Sequence, residues 1–340
     1  MAASTAGYEQ ENVIKNLQEN IQLVVQQIKD GESKDVDDAD FNKEVYWNKV
    51  AAVLKILSIE TTKISLAFSK KPFPSSKNTE AMVTELEKSM LALVSVYYAL
   101  PLSQGSTLHG LFQESMLQIL ANLQGFVASL SECIMSESHA RRLQWTGGIW
   151  ESVEFTLLKD NKECTLKKLN DTFDLVHDAL VEMQEAIENE GELDDFMQDA
   201  EKSNADVWSE QDKQVALSCT GMVKTMKNLL KKTQECVQKL GETDTREGVA
   251  VLDELIDLMS GVNIKVDDFV CGIYAPINCT ALVQNGKALA ELTDQILKFL
   301  RDSTLTKADD AKWLDFLSHA SVHNLDKLKD VAHNSISGEG

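Results

Sequence analysis

The chain has 340 residues, with 33 basic and 54 acidic side chains and a formal net charge of −21. Direct binding to nucleic-acid phosphates would work against this negative field, and no basic patch in the sequence offsets it, so we expect no direct nucleic-acid partner. The length exceeds the roughly 250–300 residues at which a single core stops growing, which predicts two domains.

The composition also restricts the class of protein. Only four prolines and little strand-like alternation predict an all-α fold. The six cysteines form no CxxC pair, and the first residues lack a signal-peptide pattern, so we expect reduced thiols in a cytoplasmic and nuclear protein. The apolar run at residues 91–102 is shorter than the about 20 residues of a membrane span, which predicts a core helix and no membrane partner.

The first half of the chain reads as a series of helices. A helix is predicted over residues 8–29, followed by an acidic loop and a second helix from about residue 41 to Lys71. This second helix carries two apolar rows, which predict that it is central and buried on more than one side. One row comprises Tyr46, Val50, Val53, Leu57, Ile64 and Phe68; the other comprises Val45, Ala52, Ile56, Ile59, Thr62 and Leu66.

Breaks in these patterns predict where helices begin and end. Pro72 and Pro74 end the second helix, and Asn78 offers N-cap chemistry for a third helix that stops before Pro101. A long fourth helix follows from about residue 108. We expect the adjacent glycines Gly147 and Gly148 to interrupt or end it, because glycine is a poor helix former.

A heptad-like seam after Asn161 predicts packing within a bundle rather than an exposed zipper. It comprises Leu166, Leu169, Phe173, Val176, Leu180, Met183 and Ile187. The following segment is strongly acidic and poor in apolar residues, which predicts an exposed linker. We therefore place an N-terminal bundle of about five helices at residues 1–188, an acidic linker at 189–207 and a C-terminal bundle of about four helices at 208–340.

The predicted C-terminal bundle opens with a second long seam that Gly241 stops. It comprises Val215, Cys219, Met222, Met226, Leu229, Thr233, Cys236 and Leu240. A short helix follows Thr245, and Thr306 with Asp309 predicts a capping box for the last helix. That helix carries the apolar residues Trp313, Phe316, Leu317, Ala320 and Leu328.

Several stretches of the sequence resemble the cyclin-D-binding protein family, also called Grb-adaptor- and cyclin-D-interacting proteins. The resemblance is strongest in VSVYYALPLSQGSTLHGL, TTKISLAFSKKPFPSS and VDDFVCGIYAPINCTALV, and it covers most of the chain. It implies two up-and-down bundles of the vinculin, talin and α-catenin kind. It also implies a negative regulator of the cell cycle and transcription, with D-type cyclin, Grb-related adaptor and helix-loop-helix proteins as partners. A cytoskeletal or adhesion adaptor of similar fold is the alternative.

Residue patterns that could carry chemistry are weak. His319 and His323 lie four residues apart, as two metal ligands would, but zinc needs a third protein ligand and none is evident. No nucleophile elbow, phosphate-binding glycine loop or dinucleotide fingerprint occurs in the sequence. We therefore expect no enzyme, cofactor, metal or small-molecule substrate.

Candidate partner-binding residues lie in two places. Pro72, Phe73 and Pro74 present an aromatic ring between two rigid residues, although Phe73 folding back onto its own bundle is the simpler interpretation. Asp194 and Asp195 lie in the acidic linker, and Trp208 at its end serves either as a partner contact or as an anchor. Ser209 matches both a helix cap and an acidophilic phosphorylation pattern.

Overall fold

The computed structural model describes residues 2–31, 41–136, 140–154, 158–189 and 208–338. Within these residues the regular structure is helical, with no β-strand, which confirms the all-α prediction. A specific likeness to vinculin, talin or α-catenin stays a prediction. Contacts divide the chain into a first unit, Met1–Asp160, and a second unit, Asn161–Gly340.

Among its described residues, the first unit has five α-helices and one short 3-10 helix. They are α1 (Ala2–Asp30), α2 (Lys43–Ala67), α3 (Ser76–Tyr98), the 3-10 helix Leu102–Gln104, α4 (Ser106–Ser136) and α5 (Ala140–Glu154). Helix α2 packs against α3 and α5, while α1 packs against α3 and α4. The first apolar row of α2 is largely buried, as predicted, with Val50, Leu57 and Phe68 fully enclosed.

The second apolar row of α2 contradicts its prediction. Val45 and Leu66 are 64% and 68% exposed, and Ile56 and Ile59 are 50% and 43% exposed. The reason is that α2 lies on the outside of its unit, with its main neighbours α3 and α5 on one side only. The spacing of apolar residues shows which of them share a helix face, but it does not show how many neighbouring helices cover that face.

Two local predictions in this unit are also wrong. The N-cap of α3 is Ser75, whose Oγ accepts from the Asn78 backbone N–H, so the helix begins one turn earlier than predicted. Gly147 and Gly148 lie inside α5. A Cβ at Gly148 would approach Asn122 Oδ1 to 3.3 Å, and the Asn122 amide donates to the Gly148 carbonyl at 3.0 Å. The glycine therefore lets α4 and α5 pack closely rather than ending a helix.

The described part of the second unit has six α-helices and another 3-10 helix. They are α6 (Asn161–Glu188), α7 (Glu210–Leu240), α8 (Arg246–Met259), α9 (Val262–Cys271), α10 (Cys279–Asp302), the 3-10 helix Ala308–Asp310 and α11 (Ala311–Gly338). The two predicted seams, on α6 and α7, supply much of one continuous core. Bundle packing of the α6 seam is thereby confirmed.

The contacts of α6 differ from the predicted domain division, which assigned this helix to the first bundle. Its main neighbours are α7, α8 and α9, and Leu169, Val176 and Met183 are enclosed in the core of the second unit. Asn161, at its start, donates to the Asp253 carboxylate of α8 at 2.9 Å. By packing, the boundary falls between residues 160 and 161, and most of the predicted linker lies outside the described residues.

The predicted arrangement at the start of the last helix is only partly right. Asp310, not Asp309, accepts from the Lys307 backbone N–H and from the Trp313 indole N–H, whereas Thr306 donates to the Leu300 carbonyl. The backbone and indole hydrogen bonds lower the pKa of the Asp310 carboxyl. Of the apolar residues on this helix, Leu317 is buried and Phe316 is 68% exposed, because Phe316 points away from the core that Leu314 and Leu317 contact.

Candidate interaction surfaces

Within the described residues, the side chains that could bind a metal or react do not lie together. His319 and His323 are exposed on α11, and no group of three or more His, Cys, Asp or Glu there has a metal-binding arrangement. Cys219 and Cys236 are buried in the second unit, and burial raises the pKa of their thiols to about 12 and about 11. Both thiols are therefore protonated at neutral pH and pack as small hydrophobic groups.

The loop at Pro72, Phe73 and Pro74 folds back onto its own unit. The Phe73 ring lies 5.6 Å from the Phe68 ring, and the Lys71 ammonium lies 5.9 Å from the Phe73 centroid. Gln10 of α1 donates to the Pro74 carbonyl and, at 3.2 Å, to the Thr79 hydroxyl. Phe73 is half-buried, so the simpler of its two interpretations describes its packing, and Pro72 is the exposed member of the three.

Trp208 is an anchor of the second unit. Its side chain is 4% exposed, and its indole N–H donates to the Ile273 carbonyl at 3.0 Å. The residue thus ties the chain just before α7 to the chain just after α9. A partner cannot reach the indole without displacing it from this core.

Ser209 and Asp212 form a capping box at the start of α7, as the sequence predicts. The Asp212 backbone N–H donates to Ser209 Oγ at 3.1 Å, and the Asp212 carboxylate accepts from the Ser209 backbone N–H at 2.9 Å. Ser209 is exposed, so a kinase could reach its hydroxyl. Its phosphorylation remains a prediction.

Replacing Ser209 with alanine should lower the free energy of unfolding by about 1 kcal/mol, because the Asp212 backbone N–H loses its acceptor and the Asp212 carboxylate loses the Ser209 hydroxyl donor. Urea denaturation followed by circular dichroism measures the change. Ser209→Asp restores an acceptor at the N-cap and should recover most of the loss. Equal stability of Ser209→Ala and the unchanged chain would show that the capping box contributes nothing.

The other candidate partner-binding residues, Asp194 and Asp195, lie outside the described residues.

The described helices include a surface that the sequence interpretation missed. It consists of the exposed apolar side of α2 and the adjoining edge of α5. Its sequence signal was present, because lysines at positions 49, 55 and 63 alternate with the second apolar row. Charged residues interleaved with a row of this kind favour a solvent-facing side.

None of the described helices is long and apolar enough to cross a membrane. The most apolar of the long helices, α2, α3 and α4, supply core residues of the first unit.

Two family models match the chain. The first, described as Grap2 and cyclin-D-interacting, N-terminal, matches residues 49–189, and the second, described as Grap2 and cyclin-D-interacting, C-terminal, matches residues 189–298. The models meet at residue 189, at the C-terminal end of α6, so α6 belongs to the first model's region although it packs in the second unit.

Several full-length relatives are similar to the chain. A Xenopus laevis protein named cyclin-D1-binding protein 1 homolog is 32% identical over 95% of this chain and 99% of its own length. A Danio rerio protein of the same name is 32% identical over 94% and 95% of the two chains. Human cyclin-D1-binding protein 1 is 25% identical over 95% and 94%. The chain therefore belongs to the Grap2 and cyclin-D-interacting protein family.

Proposed function

We propose that this chain is a non-enzymatic regulatory protein that binds D-type cyclin. The observation that carries the proposal is the end-to-end similarity to relatives named for cyclin D1 binding, including the Xenopus laevis protein at 32% identity over 99% of its length. Because the similarity spans both units, the chain contains the counterpart of nearly every segment that the relatives have. The cytoskeletal-adaptor alternative has no comparable support.

We also propose further partners and an effect on the cell. Grb-related adaptor and helix-loop-helix proteins are the additional partners, and the result is restraint of cell-cycle progression and of transcription, in the cytoplasm and the nucleus. The net charge of −21 makes an indirect effect on transcription more reasonable than contact with DNA. Such a protein acts by occupying the protein-binding surfaces of its partners.

The packing of α2 favours partners that bind the outside of an intact unit. Its buried side includes Tyr46, Val50, Leu54, Leu57 and Ile64. Exposing side chains of this kind costs about 1.5–3 kcal/mol each, so releasing the helix to pair with another protein would cost on the order of 10 kcal/mol. That is comparable with the whole stability of an ordinary domain. An exposed face, or the acidic segment, offers binding without this cost.

Calorimetric titration of the full chain with a purified D-type cyclin, with and without its kinase and at physiological salt, tests the proposal. We expect saturable binding. A variant lacking residues 189–207 separates two locations: loss of binding assigns it to the acidic segment, and retained binding assigns it to the helical units. The absence of saturable heat for the unchanged chain would contradict direct cyclin binding.

Hydrogen exchange on the same complex tests whether the units stay intact. Amides along the core helices should keep or gain protection when cyclin is bound, because no buried helix is released. Loss of protection along a whole helix such as α2 would instead indicate that a helix exchanges its own unit for the partner.

A further inference from the structure

The outward side of α2 is apolar over most of the helix. Val45, Ala52, Ile56, Ile59 and Leu66 follow one another at intervals of seven, four, three and seven residues, which places them on one side. All five are exposed in the structure, four of them by 43% to 68%. We call these five residues the α2 face. Although lysines interrupt it, an exposed apolar row of this length is a candidate protein-binding surface.

Helix α5 extends this apolar surface. The Trp150 indole N–H donates to Thr62 Oγ1 at 2.9 Å, which holds the ring beside α2. Arg142 and Thr146 bind Ser65 of α2, with the Thr146 hydroxyl 3.0 Å from Ser65 Oγ, so the register of the two helices is fixed. Trp150 is 45% exposed, and Leu143, seven residues earlier on the same side of α5, is 60% exposed. Two large apolar side chains thus border the α2 face on a rigid neighbouring helix.

Three lysines lie within and beside the α2 face, together with Glu44 and Glu60 of the same helix. Lys49, Lys55 and Lys63 are exposed on the outward side of α2. Lys63 contacts Glu60 at 2.6 Å, while Lys49 and Lys55 have no ion-pair partner among the described residues. On this side of α2 the lysines outnumber the carboxylates by three to two, although the chain as a whole has a net charge of −21. A partner surface that matches it would have an apolar row with carboxylates on its flanks.

We infer that the α2 face and the adjoining edge of α5 dock an amphipathic helix of another protein, one whose apolar row is flanked by aspartate and glutamate. A helix matches the seven-, four- and three-residue spacing of the face, since its own anchors recur at the same intervals. The Trp150 ring supplies the kind of rigid aromatic contact that dominates interface energies. The inference goes beyond the proposed cyclin binding, because it concerns any helix of this chemistry and is tested without cyclin.

Other occupants fit the surface less well. A second copy of the chain docked through the same face would place lysine rows against lysine rows, which is unfavourable. An anionic membrane would attract the lysines, but the negative charge of the whole chain opposes its approach. Nucleic-acid phosphates would match the lysines and leave the apolar row without a partner.

The test uses a synthetic, tryptophan-free helical peptide of about 20 residues, with leucine at every third or fourth position and glutamate on the flanks. Titration into the full chain, followed by calorimetry and by tryptophan emission, should show saturable binding and a blue shift of the emission, because the exposed ring of Trp150 becomes covered. Ile59→Asp combined with Leu66→Asp should weaken binding at least about tenfold, a change of about 1.4 kcal/mol. These side chains are exposed, so circular dichroism should show an unchanged fold.

A matched control variant tests whether binding is specific to the α2 face, and a charge-reversal variant tests whether it depends on the lysines. Ile264→Asp introduces the same change at an apolar residue that is 66% exposed on α9, and it should leave binding unchanged. Lys49→Glu combined with Lys55→Glu should weaken binding of the acidic peptide and strengthen binding of the same peptide with lysine in place of glutamate.

Four results would overturn the inference. They are failure of the acidic peptide to saturate the chain, an equal effect of Ile264→Asp, and equal binding of acidic and basic peptides by the unchanged chain. The fourth is a different occupant of the face. It would appear as self-association in sedimentation, or as binding to phosphatidylserine vesicles, that Ile59→Asp with Leu66→Asp abolishes while the peptide does not bind.

Discussion

Replacing Trp208 with alanine is expected to lower the free energy of unfolding of the second unit by about 3–5 kcal/mol, the cost of truncating a large buried aromatic side chain. The ring is 4% exposed within the core of the second unit, and its removal leaves the Ile273 carbonyl without its indole donor. The cavity would separate the start of α7 from the end of α9. Urea denaturation, followed by circular dichroism, measures the loss.

Two further variants identify the cause of that loss. Trp208→Phe keeps most of the buried ring and removes the hydrogen bond, so it should cost about 1–3 kcal/mol. Phe316→Ala removes an aromatic ring of the same unit that is 68% exposed, and it should change stability by about 0.5 kcal/mol or less. If Phe316→Ala were as harmful as Trp208→Ala, the burial of Trp208 would not explain its effect.

The features that the sequence predicted correctly are local. Heptad spacing located the seams of α6 and α7, because residues three and four apart share a helix face whatever surrounds the helix. The capping box at Ser209 and Asp212 was also predictable, since both of its hydrogen bonds join residues three apart. In each case the interacting groups are neighbours in the chain.

The features that the sequence did not predict depend on contacts between distant residues. Gly148 continues α5 because Asn122, 26 residues earlier, packs against it and donates to its carbonyl. The exposure of Ile56 and Leu66 depends on how many helices surround α2, which the spacing of apolar residues along one helix does not reveal. The candidate site was therefore only partly accessible from sequence, because the apolar row of α2 was recognised but assigned to the core, and Trp150 and Leu143 of α5 were not recognised.

The division into domains also depends on contacts between distant residues. The acidic composition after Glu188 marks a change along the chain, and the sequence interpretation took it as the boundary between bundles. Packing follows the apolar seam instead, so α6 contacts the helices that come after the acidic segment. A change in composition indicates which segment is exposed to solvent, but it does not indicate which helices pack in the same core.

The division by packing predicts the behaviour of two fragments. A fragment of residues 161–340 should fold cooperatively, whereas a fragment of residues 189–340, which lacks α6, should not. Helix α6 contributes buried core residues at about 1.5–3 kcal/mol each, on the order of 10 kcal/mol in sum, which is comparable with the 5–15 kcal/mol of a typical domain. The four large core residues concerned are Leu169, Val176, Leu180 and Met183, and Ala179 contributes less.

Circular dichroism and urea unfolding of both fragments measure the difference. The longer fragment should give one sigmoidal transition, and the shorter one a weak or gradual transition with aggregation through the uncovered side of α7. A synthetic peptide of residues 161–188 added to the shorter fragment should restore the transition, because it returns the apolar seam that α7, α8 and α9 contact. If the shorter fragment unfolded at the same midpoint and with the same slope as the longer one, α6 would not be part of this folding unit, and the boundary at residue 188 would hold.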